Sequence, residues 1–320
     1  MISNGLYSDW ALRCFESGNV DDGNQYLSRA EHYFENARYL GLPNAYPYHA
    51  HTNMYIALAE KRDTLEEKIE SYGRALEIIS LAEDNLNKDD LMPILDLKLK
   101  IYGKLGKFED LLKLSFKIAT DYDSASGFSA YITYLFDDWK RERDIRKNES
   151  LTYKILEVLS EALSRFPKDD SLLRLNAITT LSFFPNDRTK KIKELLQWFE
   201  NKSHSDLTMM FQLAYLLFED GKFDYSNRIF RDLSRMSQGI ANRYNAREFF
   251  KDDHGQKKIF EGTVSTITNE YNGQISIEGI KDSIYFRPIT CPFEVKKEDI
   301  VSLNISFSFR GARAEIIKKA

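Results

Sequence analysis

The sequence predicts a mainly α protein: an α-α superhelix of about six helical hairpins, followed by a small five-stranded β-barrel. Three observations predict it. Through residues 1–250 the apolar residues recur at a period of about 3.6, in paired runs separated by glycine-containing turns. From Ile259 onward the period drops to about 2, that of a strand with one buried face. The 320 residues hold only 7 Pro and 15 Gly, which leaves room for long helices.

The first hairpin opens almost at Met1. Trp10, Ala11 and Cys14 mark its first helix, Gly18-Asn19 its turn, and Gly23, Leu27, Ala30, Phe34 and Ala37 its second helix. A turn-rich break follows over 41–47. The second hairpin pairs 49–61 with 65–84, where Tyr72, Ala75 and Ile79 recur at helical spacing. The third pairs 91–105 with 108–121 across Gly106-Lys107-Phe108-Glu109. The fourth pairs 127–143 with 151–166 and stops at Phe166-Pro167, because proline cannot continue a helix. The charged run over 137–149 reads as a solvated helix end and loop. The fifth pairs 171–183 with 189–200. The sixth is AYLLFEDGKFDYSNRIFRDL, residues 214–233, with Gly221 at the bend. Ala30, Ala75, Ile118, Ala162, Phe199 and Leu233 read as equivalent inner positions. A last helix is expected over 239–250 and a polar linker, KDDHGQKK, over 251–258.

The spacing Ala214, Gly221, Ser226, Phe230, Leu233 resembles the tetratricopeptide repeat, a helix–turn–helix unit of roughly 34 residues. The resemblance covers about 4–237. It implies stacked hairpins whose first helices line an inner, partner-binding surface. Tyr48, Tyr55, Tyr131 and Tyr134 lie on first helices and are the expected anchors for a protein partner, since aromatic rings bring large area at low rotamer cost. Tyr26, Tyr33, Phe34 and Tyr39 are expected in the core. The array begins without a capping element, so either further chain precedes it or this terminus docks on something.

After the linker, Val264 and Ile267 open a first strand. Ile275 and Ile277 then alternate with polar residues, as do Ile284 and Phe286, and Val301 through Phe309. Ala312, Ala314 and Ile316 complete the fifth strand. These strands, at 259–320, resemble a cold-shock-like OB-fold. Gly262-Thr263-Val264 is similar to its opening, DSIYFRPI at 282–289 to its second nucleic-acid motif, and 309–314 to its closing turn. The resemblance implies a site for single-stranded RNA or DNA at Tyr271, Tyr285, Arg287, Arg310 and Arg313. The rings of the family's first motif are absent. Ser265, Thr266 and Ile267, then Asn272, Gly273 and Gln274, stand in their place, so weak binding is expected.

Composition limits the chemistry. The net charge of −4 gives no general basic surface for nucleic acid, although the tail from Lys257 is mildly basic. Cys14 and Cys291 are too few and too far apart in sequence for a disulfide framework, and read as buried small hydrophobes. No apolar run reaches the roughly 18 residues of a membrane span, and no secretory signal opens the chain, so a cytoplasmic protein is expected. Of His32, His49, His51, His204 and His254, only His49 and His51 are close, and residues two apart do not share a helix face. Neither a phosphate-cradling glycine loop nor a nucleophile elbow occurs. The expectation is a non-catalytic scaffold without cofactor or metal, holding a protein partner on its helical surface. The alternative is a single-strand-binding protein. A further alternative follows from resemblance: repeats ending in such a barrel are similar to the sensor portions of bacterial signalling NTPases and antiviral defence proteins.

Overall fold

The computed structural model describes residues 3–40, 45–201, 206–240, 245–252 and 254–320. These form twelve α-helices, then a closed barrel of five strands with a sixth, short strand at its edge. The chain divides into two compact units, Met1–Leu172 and Leu173–Ala320.

The helices pair as the sequence predicts: α1 (Ser3–Glu16) with α2 (Val20–Tyr39), α3 (Tyr46–Lys61) with α4 (Leu65–Asn85), and α5 (Lys88–Lys104) with α6 (Phe108–Asp121). They continue with α7 (Ala125–Arg141) and α8 (Ile145–Arg165), and α11 (Leu207–Glu219) and α12 (Phe223–Met236); between them, α9 (Asp170–Phe183) meets α10 (Arg188–Glu200) where the Asn176 amide donates to the Glu194 carboxylate. Their starts are set locally. Thr64 makes a capping box with Glu67 at the head of α4, and Asp144, Asp187 and Asp206 accept from first-turn backbone N–H groups of α8, α10 and α11. In the first unit α3 neighbours both α1 and α5, so first helices lie beside first helices. Small residues sit where the members of a hairpin touch: Ser226 on α12 donates its hydroxyl to the Ala214 carbonyl of α11 at 2.6 Å, and both are fully buried.

Five of the six inner positions, Ala30, Ala75, Ile118, Ala162 and Leu233, are fully buried. In the fifth hairpin the buried position is Trp198, and Phe199 is half-exposed. Tyr33 and Tyr39, expected in the core, are exposed, because they lie off the face of α2 that buries Ala30 and Phe34. Residues 41–44, within the expected break, lie outside the described residues. The charged run at 137–149 has only a short turn between helices, since α8 already begins at Ile145.

Part of the expected last helix is strand. Glu248–Phe249 is β1, which pairs antiparallel with Phe307 and Ser306; residues 241–244 lie outside the described residues. The 251–258 segment folds back on itself. Lys251 bridges to Lys257, and the Asp252 carboxylate accepts from the backbone N–H groups of His254 and Gln256. The barrel strands are β2 (Phe260–Asn269), β3 (Asn272–Ile277), β4 (Ile284–Phe286), β5 (Ile300–Ser308) and β6 (Gly311–Lys319). They close as β2-β3-β4-β6-β5-β2, with one parallel pair, β4 with β6. This five-stranded closed circuit is of the kind the oligonucleotide-binding barrels use.

The barrel and the last hairpin share a core within the second unit. Val301, Leu303, Ile305, Phe307 and Phe309 form one buried row. Its far end leaves the barrel interior and meets rings of α11 and α12: Phe307 lies 5.1 Å from Tyr215 and 6.1 Å from Phe230, and Phe309 lies 5.9 Å from Phe211. The Tyr215 hydroxyl donates to the Glu219 carboxylate at 2.5 Å and lies 3.2 Å from the Phe249 carbonyl. Burial and then Glu219 push its pKa up. The sequence division at 250 is therefore one of element type, whereas compactness groups the barrel with helices α10 to α12 and with α9 from Leu173 onward. Among the described residues, no helix is long and apolar enough to cross a membrane.

Candidate functional site

The expected partner anchors on the first helices divide by burial. Tyr48, Tyr55 and Tyr131 are buried, and their rings pack between helices. Tyr48 lies under the Arg38 guanidinium at 5.7 Å. Tyr55 donates to the Glu31 carboxylate of α2, and burial followed by that carboxylate pushes its pKa up. Tyr131 packs against Phe116 at 5.2 Å, with the Lys154 ammonium over its ring at 5.7 Å. Tyr134 alone of the four reaches an open groove. That groove, about 320 Å³, runs along α7 and is lined by Ser126, Ser129, Ala130, Thr133 and Tyr134 of that helix, with Asp169 and Ser171. Burial, then Asp137, raises the Tyr134 pKa.

Between Phe34 and Tyr55 lies His51, only 4% exposed, its ring stacked on Phe34 at 4.9 Å. Neither ring nitrogen has a hydrogen-bond partner. Burial, with the nearby Arg38 charge, lowers its pKa to about 3, so the imidazole is neutral. Its i, i+2 neighbour His49 makes a separate contact with Asn53, as the helix geometry requires. His204 lies outside the described residues. Among the described residues, no three His, Cys, Asp or Glu side chains converge as metal ligands. Cys14 and Cys291 are free thiols, half-buried rather than fully buried as expected.

The barrel brings the other predicted set together. Tyr285, Arg287, Arg310 and Arg313 line one cavity of about 280 Å³, with Asn272, Ser308, Gly311 and Ala312. Strand pairing places them. Tyr285 on β4 lies opposite Gln274 of β3 on one side and Arg313 of β6 on the other. Arg310 projects from the β5–β6 turn, which is pinned by the Arg310 N–H donating to the Ser308 hydroxyl at 3.2 Å. The Tyr285 hydroxyl donates to the Tyr271 carbonyl at 2.6 Å and accepts from Arg287 Nε at 3.3 Å. These contacts fix the ring and one guanidinium against each other. Tyr271 does not line the cavity: its backbone carbonyl holds the Tyr285 hydroxyl, and the residue is half exposed. Among the described lining residues there are three arginines and no carboxylate; one of the three, Arg313, is paired with Glu315 at 3.0 Å. Such a cavity suits an anionic group beside a flat ring.

No family model matches the chain, and no curated protein matches it. Solved structures with similar helix arrangements include a thermophilic TPR protein of Thermus thermophilus, 14% identical, covering 60% of this chain and 94% of that one at a TM-score of 0.42. PilF of Pseudomonas aeruginosa is 12% identical over 74% of this chain and 92% of that one, at a TM-score of 0.44. MamA of Desulfovibrio magneticus is 11% identical over 59% and 97%, at 0.38. Likenesses of this size concern the arrangement of helices alone. Described by its own architecture, the chain is a tetratricopeptide-like series of helical hairpins that ends in a five-stranded barrel.

Proposed function

We propose that the protein is a non-catalytic scaffold of the cytoplasm whose helical hairpins hold another protein. The groove along α7 is the observation that carries this reading. It is a preformed trough lined by small hydroxyl side chains and one amphipathic ring, Tyr134, on a first helix of the array. Small polar walls admit an extended peptide backbone, and a tyrosine supplies one anchor of large area. The test is site-specific photo-crosslinking in cells. A photoreactive residue at Thr133 is expected to trap a defined partner, and one at the outward Tyr153 of α8 is not. Reconstituted binding of that partner is expected to be lost in Ser129→Arg. Equal trapping at both positions, or binding that survives Ser129→Arg, overturns the reading.

A second reading has its own observation. Four of the five residues that the sequence assigns to nucleic acid, from two separate segments of the barrel, line one cavity with three guanidinium groups. On this reading the barrel takes single-stranded RNA or DNA, with phosphates on the arginines and a base near Tyr271 and Tyr285. Binding of an oligouridylate that weakens with salt and is lost in Arg287→Ala supports it, and no binding at low salt removes it.

A further inference from the structure

We infer that the last repeat helix, α12, forms the second wall of the barrel's binding site, so that single-stranded nucleic acid lies in a cleft built jointly by repeat and barrel. This rests on the second reading above. Nothing in the sequence connects α12 with that site.

The geometry is specific. A crevice of about 390 Å³ separates α12 from the barrel. On the helix side it is lined by Asn227, Arg231 and Ser234, on the barrel side by Tyr285 and Arg310. Tyr285, Arg310, Gly311 and Ala312 line both this crevice and the arginine cavity, so the two spaces meet there. A chain entering between α12 and the β5–β6 turn would pass Arg231, then Arg310, then Arg287 and Arg313. Asp282 is the one carboxylate among the described residues lining the crevice, and the Asn227 amide already donates to it at 2.7 Å.

The two walls are held at a fixed spacing. Asn227 bonds Asp282, and the Lys281 ammonium pairs with Asp224 at 2.7 Å, so two contacts tie the start of α12 to the β3–β4 turn. At the other end, Gly311 lies against the Phe230 ring, where a Cβ would stand at 3.6 Å. Arg231 projects one residue beyond Phe230 and is exposed. A cleft fixed at both ends presents its cations without further ordering, which favours a flexible polyanion. The ring of Tyr285, which lines both spaces, favours bases over the carboxylates of an acidic peptide, because every base offers a π-face to stack.

The test uses the full chain and a fluorescein-labelled oligouridylate of roughly 15 nucleotides, followed by anisotropy between about 50 and 200 mM salt. Arg231→Ala is expected to weaken binding about five- to tenfold and to lower the salt slope by about 0.7, the loss of one phosphate contact. Arg287→Ala is expected to do at least as much. Arg235→Ala removes the same charge from α12 outside the crevice and is expected to change affinity less than about twofold. If the unaltered chain does not bind, the barrel reading itself fails. If Arg287→Ala weakens binding and Arg231→Ala does not, the barrel reading stands and the joint cleft is overturned. Equal losses in Arg231→Ala and Arg235→Ala also overturn it, as does a poly-glutamate peptide that binds more tightly than the oligouridylate through the same arginines.

Discussion

The ring of Phe218, near the end of α11, meets the ring of Phe307 on β5 edge-on, with centroids 5.0 Å apart and planes at 73°. One residue belongs to the repeats and the other to the barrel, and both are buried. Edge-to-face rings contribute beyond their buried area. Phe307→Ala is therefore expected to lower stability by about 3–5 kcal/mol, the cost of a cavity in a core that cannot close over it. A urea titration of the full chain measures this, and a midpoint within error of the parent would show that the shared core is not what holds barrel to helices.

The same core sets what can be cut away. A fragment starting at 251 lacks β1 and exposes Phe307 and Phe309, which α11 and α12 cover in the whole chain. Expressed alone it is expected to aggregate or remain unfolded, while 173–320 is expected to unfold in one cooperative transition. A dispersed amide spectrum from 251–320 would contradict this.

Two helix glycines should respond in opposite directions to alanine. At Gly127 on α7 an added Cβ would stand 2.5 Å from the Ala119 nitrogen and 2.7 Å from Ile118 Cγ2 of α6. The helices touch there because the residue has no side chain, and Gly127→Ala is expected to cost about 1–3 kcal/mol. At Gly73 on α4 an added Cβ meets nothing within 4 Å. Gly73→Ala is expected to stabilise by about 0.5–1 kcal/mol, through the restricted unfolded chain and the better helix propensity. Thermal melts of the two variants decide it by their sign.

His51 gives the first unit a pH dependence. Its pKa in the folded chain, about 3, lies below the ordinary 6.5, so between those values the unfolded chain binds more protons than the folded one. Its contribution is full above pH 6.5 and is lost as pH falls toward 3. The expected slope is at most about 1.4 kcal/mol per pH unit. His51→Leu removes the titrating group and both unpartnered nitrogens. Urea unfolding at pH 5 and pH 7.5 should show a smaller difference for this variant than for the parent; equal differences would mean that another group carries the acid sensitivity.

The hairpins were legible in the sequence because their signals are local: a 3.6-residue apolar stripe on each side of a short turn, with Gly106 and Gly221 at two turns where φ is positive. Which aromatic faces inward was not. Trp198 and Phe199 are adjacent, a helix turns about 100° per residue, and only the neighbouring hairpin decides which is buried. Tyr48, Tyr55 and Tyr131 have the same spacing a groove would need, but tertiary packing takes them. Tyr285, Arg287, Arg310 and Arg313 were picked out by the resemblance to a cold-shock-like barrel, and strand pairing brings them to one cavity. Arg231 was not, since its meaning depends on where α12 meets the barrel. β1 was hidden because two residues are too short to show any period.

That short strand has a consequence of its own. Glu248 and Phe249 lie along the rim of β5, and the flanking N–H groups of Arg247 and Phe250 donate to Phe307 and Ile305 at 2.7 and 2.9 Å. An unoccupied rim is a template on which a foreign strand, or the same strand of another copy, can add itself. Here the polypeptide fills the position itself on its way into the barrel, so that stretch is closed to edge-to-edge polymerisation.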